Sequence, residues 1–465
     1  RTYGLKGGGW KRAADRYRAT HLPMAPTLRC PGVVLVWLFA VVLSVGPVAE
    51  ARTTLVKGEG GWSLQVDGRP HVAKGVTFSG SAGSAAYEQD CARLAALGVN
   101  TLRTWGVGPQ TQPLLDAAHK HGLKVLVGLW MRHGQPGAED DDSFDYLTDT
   151  AGMKKQREDT LESVRRYKDH PAVLAWGVGN EVILNSPNDA AKEAYARFLE
   201  GVVRDIKKVD DAHPVISVDA WVLAVKWWEK LVPSLDAYGL NVYGRGLQAL
   251  PEALREEGAT KPWLITEFGA QGEWDAPKDE RGVPREPDDR EKYAVIVDAW
   301  NTLLAPHVRT GDCLGLFVFN FSSTFDHTSL WLGMLSGKST RPAWHAVREA
   351  YTGQKPQPPL PEVGALVVQG VKKETSGTWA DVAFEVKDPQ GRPLDISFAY
   401  NFRGAATRFE RGEVIRLRAT PGATPNSWRV KLPSVKGPIK LYGLAKDASG
   451  NLMTATTSVL TSSAP

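Results

Sequence analysis

The chain has 465 residues, 42% of them hydrophobic and 23% charged, with three cysteines. That describes a globular chain of two or three domains, long enough to bury a large core. The formal charge of +4 points to no nucleic-acid or membrane-surface partner, because residues 1–51 carry seven Lys/Arg against two Asp/Glu and the remainder sums to −1.

The first candidate element is a leader. Met24 is followed by Arg29, the apolar run "GVVLVWLFAVVLSVG" and Ala49-Glu50-Ala51, the layout of a secretory signal peptide with a small-x-small cleavage site. A membrane anchor is the alternative, but the run is shorter than the ~20 residues a spanning helix needs. Export to the periplasm, cell surface or medium is therefore expected, with no stable membrane span. Residues 1–23 are basic, lack an apolar period and read as sequence upstream of a true start at Met24. Cys30 leaves with the leader. Cys91 and Cys313 either pair in an oxidising compartment or sit apart as small buried residues.

After the leader, "WSLQVDGRPHVAKGV" alternates across an Asp67-Gly68 turn, a hairpin feeding a first buried strand over 72–78. Seven more strand candidates follow: "VNTLRTW", "KVLVGLW", "VLAWGVGN", "PVISVDAW", "AYGLNVY", "PWLITEFG" and "LGLFVFNF". Stretches of helical period lie between several of them, as parallel strands require, and "REKYAVIVDAWNTLL" reads as one helix. Eight alternations in about 280 residues match a (β/α)8 TIM barrel. The alternative is an open doubly wound sheet, but no Gly-rich phosphate-binding turn follows the first strand. The barrel is assigned to 52–352, and the proline-rich "GQKPQPPLPE" at 353–362 reads as a linker. In 363–465, "DVAFEVKD", "DISFAYNF", "EVIRLRA", "SWRVKLP" and "IKLYGLA" alternate in period two. They predict a small all-β sandwich of immunoglobulin or fibronectin type, acting as a spacer or barrel-packing module or, alternatively, binding sugar.

Barrel chemistry sits at the C-terminal ends of the strands. Here the strands end in Arg103 and Trp105, in Trp130, in Asn180 and Glu181, in Asp219 and Trp221, in Asn241 and Tyr243, in Glu267, and in Asn320. Glu181 and Glu267, from strands four and seven, would face each other across one mouth. Two such carboxyls suit glycosidic bond cleavage, one attacking the anomeric carbon and the other protonating the leaving oxygen. Arg103 can pair with the nucleophile, Tyr243 can donate to it, and Asn180 can bond a sugar hydroxyl. Trp105, Trp130 and Trp221 are placed to stack on sugar faces, whereas Trp227, Trp228, Trp300 and Trp344 lie in helical patterns and read as packing. No pattern has metal-ligand spacing, the acidic run at 139–142 lacks the form of an EF-hand loop, and no cofactor is expected.

Over about residues 60 to 351 these features resemble the clan A glycoside hydrolases, whose barrels carry an Asn-Glu acid/base on strand four and a Glu nucleophile on strand seven. The resemblance implies Glu181 in "GVGNEV" as acid/base and Glu267 in "WLITEFGA" as nucleophile. It makes Asn180 the 2-hydroxyl contact, Arg103 the nucleophile's partner and Tyr243 its donor. Within the clan, "KGVTFSG" and "YGLNVYG" look like the β-1,3-glucanosyltransferases and their bacterial relatives, with weaker similarity to mannanases and β-galactosidase-like barrels. Many clan members end strand eight in a Trp that floors the reacting-sugar subsite; this chain has "FVFNFSS" there, with Asn320 and Phe321 expected at that position. The expectation is a retaining glycosidase acting on a β-linked polysaccharide or oligosaccharide such as a β-glucan or mannan. The alternatives are glucanosyl transfer on the same fold, or an inactive carbohydrate-binding scaffold.

Overall fold

The computed structural model describes residues 52–79, 84–135, 143–322, 326–369, 378–403 and 412–461. The expected leader and the acidic run 139–142 lie outside them. Strands β1 (Thr53–Gly58), β2 (Gly61–Val66) and β3 (Arg69–Pro70) form an antiparallel sheet. Asp67 and Gly68 both have positive φ, 51° and 74°, the type I′ geometry that matches strand twist. β1 was not expected. It has a use: Leu55, Trp62, Leu64 and Val66 pack on Leu126, Leu174, Ile216, Leu264 and Leu314, closing one end of the barrel.

The barrel strands are β4 (Ala73–Thr77), β5 (Thr101–Arg103), β6 (Lys124–Leu129), β7 (Val173–Val178), β8 (Val215–Ala220), β9 (Ala237–Asn241), β10 (Trp263–Phe268) and β11 (Cys313–Val318). They close in the order β10-β11-β4-β5-β6-β7-β8-β9, every pairing parallel. β7, β9, β10 and β11 are buried at every position, which is why they read as continuous apolar runs rather than alternations. Helices cover the outside, and Asp149, Asn188 and Asp288 cap three of them by accepting from backbone N–H groups of the first turn. The expected single helix over 290–304 is instead α-helical over Asp289–Asp298 and π-helical over Ala299–Leu304. The change falls just before Pro306, whose missing N–H cannot serve the α-helical ladder.

A small hairpin, β12 (Leu335–Ser336) and β13 (Ser339–Thr340), precedes the sandwich. The sandwich strands are β14 (Glu362–Gln369), β15 (Trp379–Lys387), β16 (Asp395–Phe402), β17 (Ile415–Leu417), β18 (Ala419–Pro421), β19 (Ser427–Lys431), β20 (Gly437–Lys446) and β21 (Leu452–Thr461). They form two four-stranded sheets, β14-β15-β19-β18 and β17-β16-β20-β21, over a core that includes Phe384, Phe398, Val430, Ile439 and Leu441. β14 and β21 were not foreseen, and "EVIRLRA" turns out to cross from one sheet to the other, supplying β17 to the second and β18 to the first.

β20 is buried almost throughout. Ile439 and Leu441 face the sandwich core, while Tyr442 and Leu444, on the opposite face, pack with Leu330 of the barrel. The polar half of that alternation is thus a docking face, and residues 50–465 cluster as one compact unit. Cys91 and Cys313 are unpaired thiols, both pushed up to about 12 by burial. Among the described residues no helix is long and apolar enough to cross a membrane.

Candidate active site

The segment "VGNEV" shows how the sequence makes the site. β7 stops at Val178, and Gly179 follows with φ 75°. A Cβ there would also lie 2.4 Å from the Tyr195 hydroxyl, so both backbone and space require glycine. Glu181 then adopts φ 54°, a left-handed conformation that costs a non-glycine residue about 1–2 kcal/mol. The surroundings hold it there. Its N–H donates to Val218 O at 3.0 Å, and its carbonyl accepts from the Asn185 backbone and side chain at 3.0 and 2.9 Å.

Glu267, at the end of β10, is buried and accepts on both oxygens. Arg103 Nη1 donates to Oε1 at 2.7 Å, Trp105 Nε1 to the same oxygen at 2.8 Å, and the Tyr243 hydroxyl to Oε2 at 2.7 Å. Arg103 is 2% exposed and also donates to Thr266 O at 3.0 Å and to Asn180 Oδ1 at 2.7 Å. Asn241 Nδ2 continues the network, donating to Asn180 Oδ1 at 3.1 Å and to Glu181 Oε1 at 2.9 Å, while its own Oδ1 accepts from Thr266 at 2.9 Å. One run of hydrogen bonds therefore joins the two carboxylates. Burial, then the Glu267 charge and hydrogen bond, raises the Tyr243 hydroxyl well above its ordinary value and keeps it a donor.

Other candidates take different places. Asp219 is 1% exposed and lies beneath the Glu181 turn, not in the cleft. Its carboxylate accepts from the N–H groups of Ile183, Leu184 and Ala220 at 2.8, 3.2 and 2.9 Å. Burial, and secondly the charge of Glu181, pushes its pKa up to about 7. Trp105 proves to be a hydrogen-bond donor to the carboxylate as well as an aromatic surface. Trp130 is half-buried, its ring 5.0 Å from that of His133, whose Nε2 lies 2.8 Å from Asn180 O. Trp221 is half-buried with φ 53° and leans over Gly246, which begins the helix Gly246–Glu256 after β9.

The strand-eight end differs from expectation by one residue. Asn320 is buried and Phe321 stacks on Phe78 at 5.2 Å, whereas half-buried Phe319 sits edge-on to both Trp105 and Tyr243, each at 6.0 Å. Phe319, not Phe321, is thus the strand-eight aromatic that packs on Trp105 and Tyr243, the two rings bonded to Glu267. Trp274 was also missed. It is half exposed, in the loop after β10, with its ring 4.9 Å from Tyr243 at an interplanar angle of 85°. Its signal was an aromatic seven residues beyond the Glu that ends that strand. Among the described residues no group of three or more His, Cys, Asp or Glu could hold a metal ion.

Fold and site together define a TIM barrel with paired carboxylates at the ends of its fourth and seventh strands. Residues 78–275, less than half of the chain, match the family described as glycosyl hydrolases family 2, TIM barrel domain, so this part of the barrel is similar to that domain. No curated protein sequence matches the chain. Among solved structures, a β-glucuronidase of Bacteroides uniformis aligns with 15% identity and TM-score 0.49, covering 89% of this chain and 48% of its own. A β-D-glucuronidase of Dictyoglomus thermophilum aligns with 19% identity and TM-score 0.45, over 65% and 54%. The endo-β-1,4-mannanase of Thermotoga petrophila aligns with 12% identity and TM-score 0.40, over 85% and 98%. The chain spans about half the length of the two β-glucuronidases.

Proposed function

We propose that the barrel is a retaining glycosidase acting on a β-linked oligosaccharide or polysaccharide, with Glu267 as nucleophile and Glu181 as acid/base. The observation that carries this reading is the single hydrogen-bonded run Glu267–Arg103–Asn180–Asn241–Glu181 opening into an aromatic-lined mouth. In the first step a Glu267 oxygen attacks the anomeric carbon while Glu181 gives its proton to the departing glycosidic oxygen. In the second, the Glu181 carboxylate takes a proton from water, and that water displaces the Glu267 ester, so the anomeric configuration is retained. Such a pair works with carboxyls about 5 to 5.5 Å apart.

Arg103, Trp105 and Tyr243 orient the nucleophile, and Asn180 is placed for the 2-hydroxyl. A sugar hydroxyl in place of water would make the same ester step a glycosyl transfer, the reading suggested by the likeness to glucanosyltransferases. Product analysis on a panel of β-glucans, mannans and aryl β-glycosides tests the assignment. Retained configuration with hydrolysis or transfer products is expected; an inverted product, or binding without turnover across the panel, overturns it.

A further inference from the structure

The loop 269–288, between β10 and the helix Asp289–Asp298, carries Trp274 at the cleft and meets the sandwich through its next residue back. Glu273 accepts from the Arg403 guanidinium, at the end of β16, and is paired with His327. Arg403 is itself fixed by Asn401 Oδ1 at 3.0 Å, and His327 Nδ1 lies 3.0 Å from the Tyr442 hydroxyl of β20. Further along the loop, Glu286 meets Lys440 of β20 at 3.2 Å and Lys292 at 2.6 Å, and Lys440 lies 3.8 Å from the centre of the Trp331 ring. Trp331 Nε1 in turn donates to Gln271 O at 2.8 Å.

At its tip the loop turns on Gly272, where an added Cβ would fall 2.2 Å from Trp274 Cζ2. The indole thus folds back over Gly272 and stands edge-on to Tyr243, which bonds Glu267. Glu273 has no role in the glycosidase chemistry, yet His327 and Arg403 outweigh burial and hold its carboxyl well below the usual range. A charge fixed that firmly next to an exposed indole fixes the indole.

We propose that Trp274 is a sugar-stacking platform of the cleft and that Arg403 of the sandwich, acting through Glu273, is the positioning residue that sets its pose. The sandwich is then part of the substrate site, and this rests on the glycosidase reading above. An aromatic face against a sugar contributes on the order of 1 kcal/mol, about a fivefold effect.

Initial rates would be compared on cello-, laminari- or manno-hexaose, whichever the wild type cleaves, and on the dinitrophenyl glycoside of the same single sugar. Arg403→Gln, Glu273→Gln, Gly272→Ala and Trp274→Ala should each raise KM for the hexaose about fivefold. Arg403→Gln and Glu273→Gln should leave kcat on the aryl glycoside within about twofold, the margin of uniform binding loss. Arg403→Lys should recover part of the loss, and Arg403→Gln combined with Trp274→Ala should be no worse than Trp274→Ala alone. Unchanged KM in Trp274→Ala overturns the platform. Unchanged KM in Arg403→Gln and Glu273→Gln, with an effect in Trp274→Ala, overturns the coupling. Amide exchange of peptides from 269–288 reads the coupling without turnover: faster exchange in Glu273→Gln supports it and unaltered exchange refutes it. A wild type that cleaves no sugar removes the glycosidase reading, and the exchange result still decides whether Arg403 holds the loop.

Discussion

Two buried networks of charge lie close together in this molecule, one at the barrel mouth and one between barrel and sandwich. At the interface the carboxylates meet their cations: Asp289 lies 2.9 Å from Arg341, and Glu286 is shared by Lys292 and Lys440. At the mouth Arg103 bonds Glu267, while Glu181 and Asp219 add negative charge close by. The pKa directions follow that difference. Burial would raise Glu286, but Lys292 and Lys440 outweigh it and hold it at about 2, whereas burial and the charge of Glu181 push Asp219 up to about 7. Matched charge makes a buried network inert, and surplus negative charge leaves one near the poise that acid/base chemistry needs.

The largest effect expected is at the mouth. Glu267→Ala should lower kcat/KM on an aryl β-glycoside by at least about 10³-fold, since a nucleophile supplies several kcal/mol of the lowered barrier. Glu181→Ala should still form the ester on a substrate with an activated leaving group, with the trapped sugar found on Glu267 by mass spectrometry. A sugar trapped elsewhere reverses the assignment.

The interface should respond in stability and not in chemistry. Asp289→Ala leaves Arg341 buried and short of its carboxylate, a loss of about 3–5 kcal/mol, although Leu452 O and Leu330 O still accept from the guanidinium. Thermal unfolding should shift downward while kcat per folded molecule on the aryl glycoside stays near wild type. Loss of kcat without loss of stability would join the two networks into one. A smaller effect is expected from Tyr243→Phe, which removes one charge-assisted hydrogen bond to Glu267. It should lower kcat/KM by about 10- to 100-fold, equivalent to roughly 1.5–3 kcal/mol.

The sequence disclosed the mouth more fully than the interface, for a physical reason. Strand ends in a parallel barrel point one way, so a residue such as Glu267 or Arg103 is placed by counting strands. Trp274 and Phe319 depend on how loops fold back, which period and composition do not encode. Lys440 in "IKLYGLA" looks like the solvent side of an alternating strand, yet it is 2% exposed, because the second face of that sheet is covered by the barrel. Asp219 read as a cleft residue for the opposite reason: it does end β8, but the turn made by Glu181 passes over it and takes its oxygens.

The finest test concerns Asp219, the group that separates the two networks electrostatically. Its folded pKa of about 7 lies above the ~3.9 of an unperturbed Asp. The folded state therefore binds more protons than the unfolded chain between those values, and the contribution of Asp219 to stability falls as pH rises through that window. Asp219→Asn should flatten that slope. The same negative charge opposes ionisation of Glu181, so removing it lets Glu181 lose its proton at lower pH. In a retaining mechanism Glu181 must be protonated for the first step, so the alkaline limb of kcat/KM should move to lower pH in Asp219→Asn while the acid limb stays in place. A limb that does not move, with the stability slope flattened as expected, would mean that the carboxyl titrating on the alkaline side is not Glu181, and the acid/base role would pass to another group at the mouth.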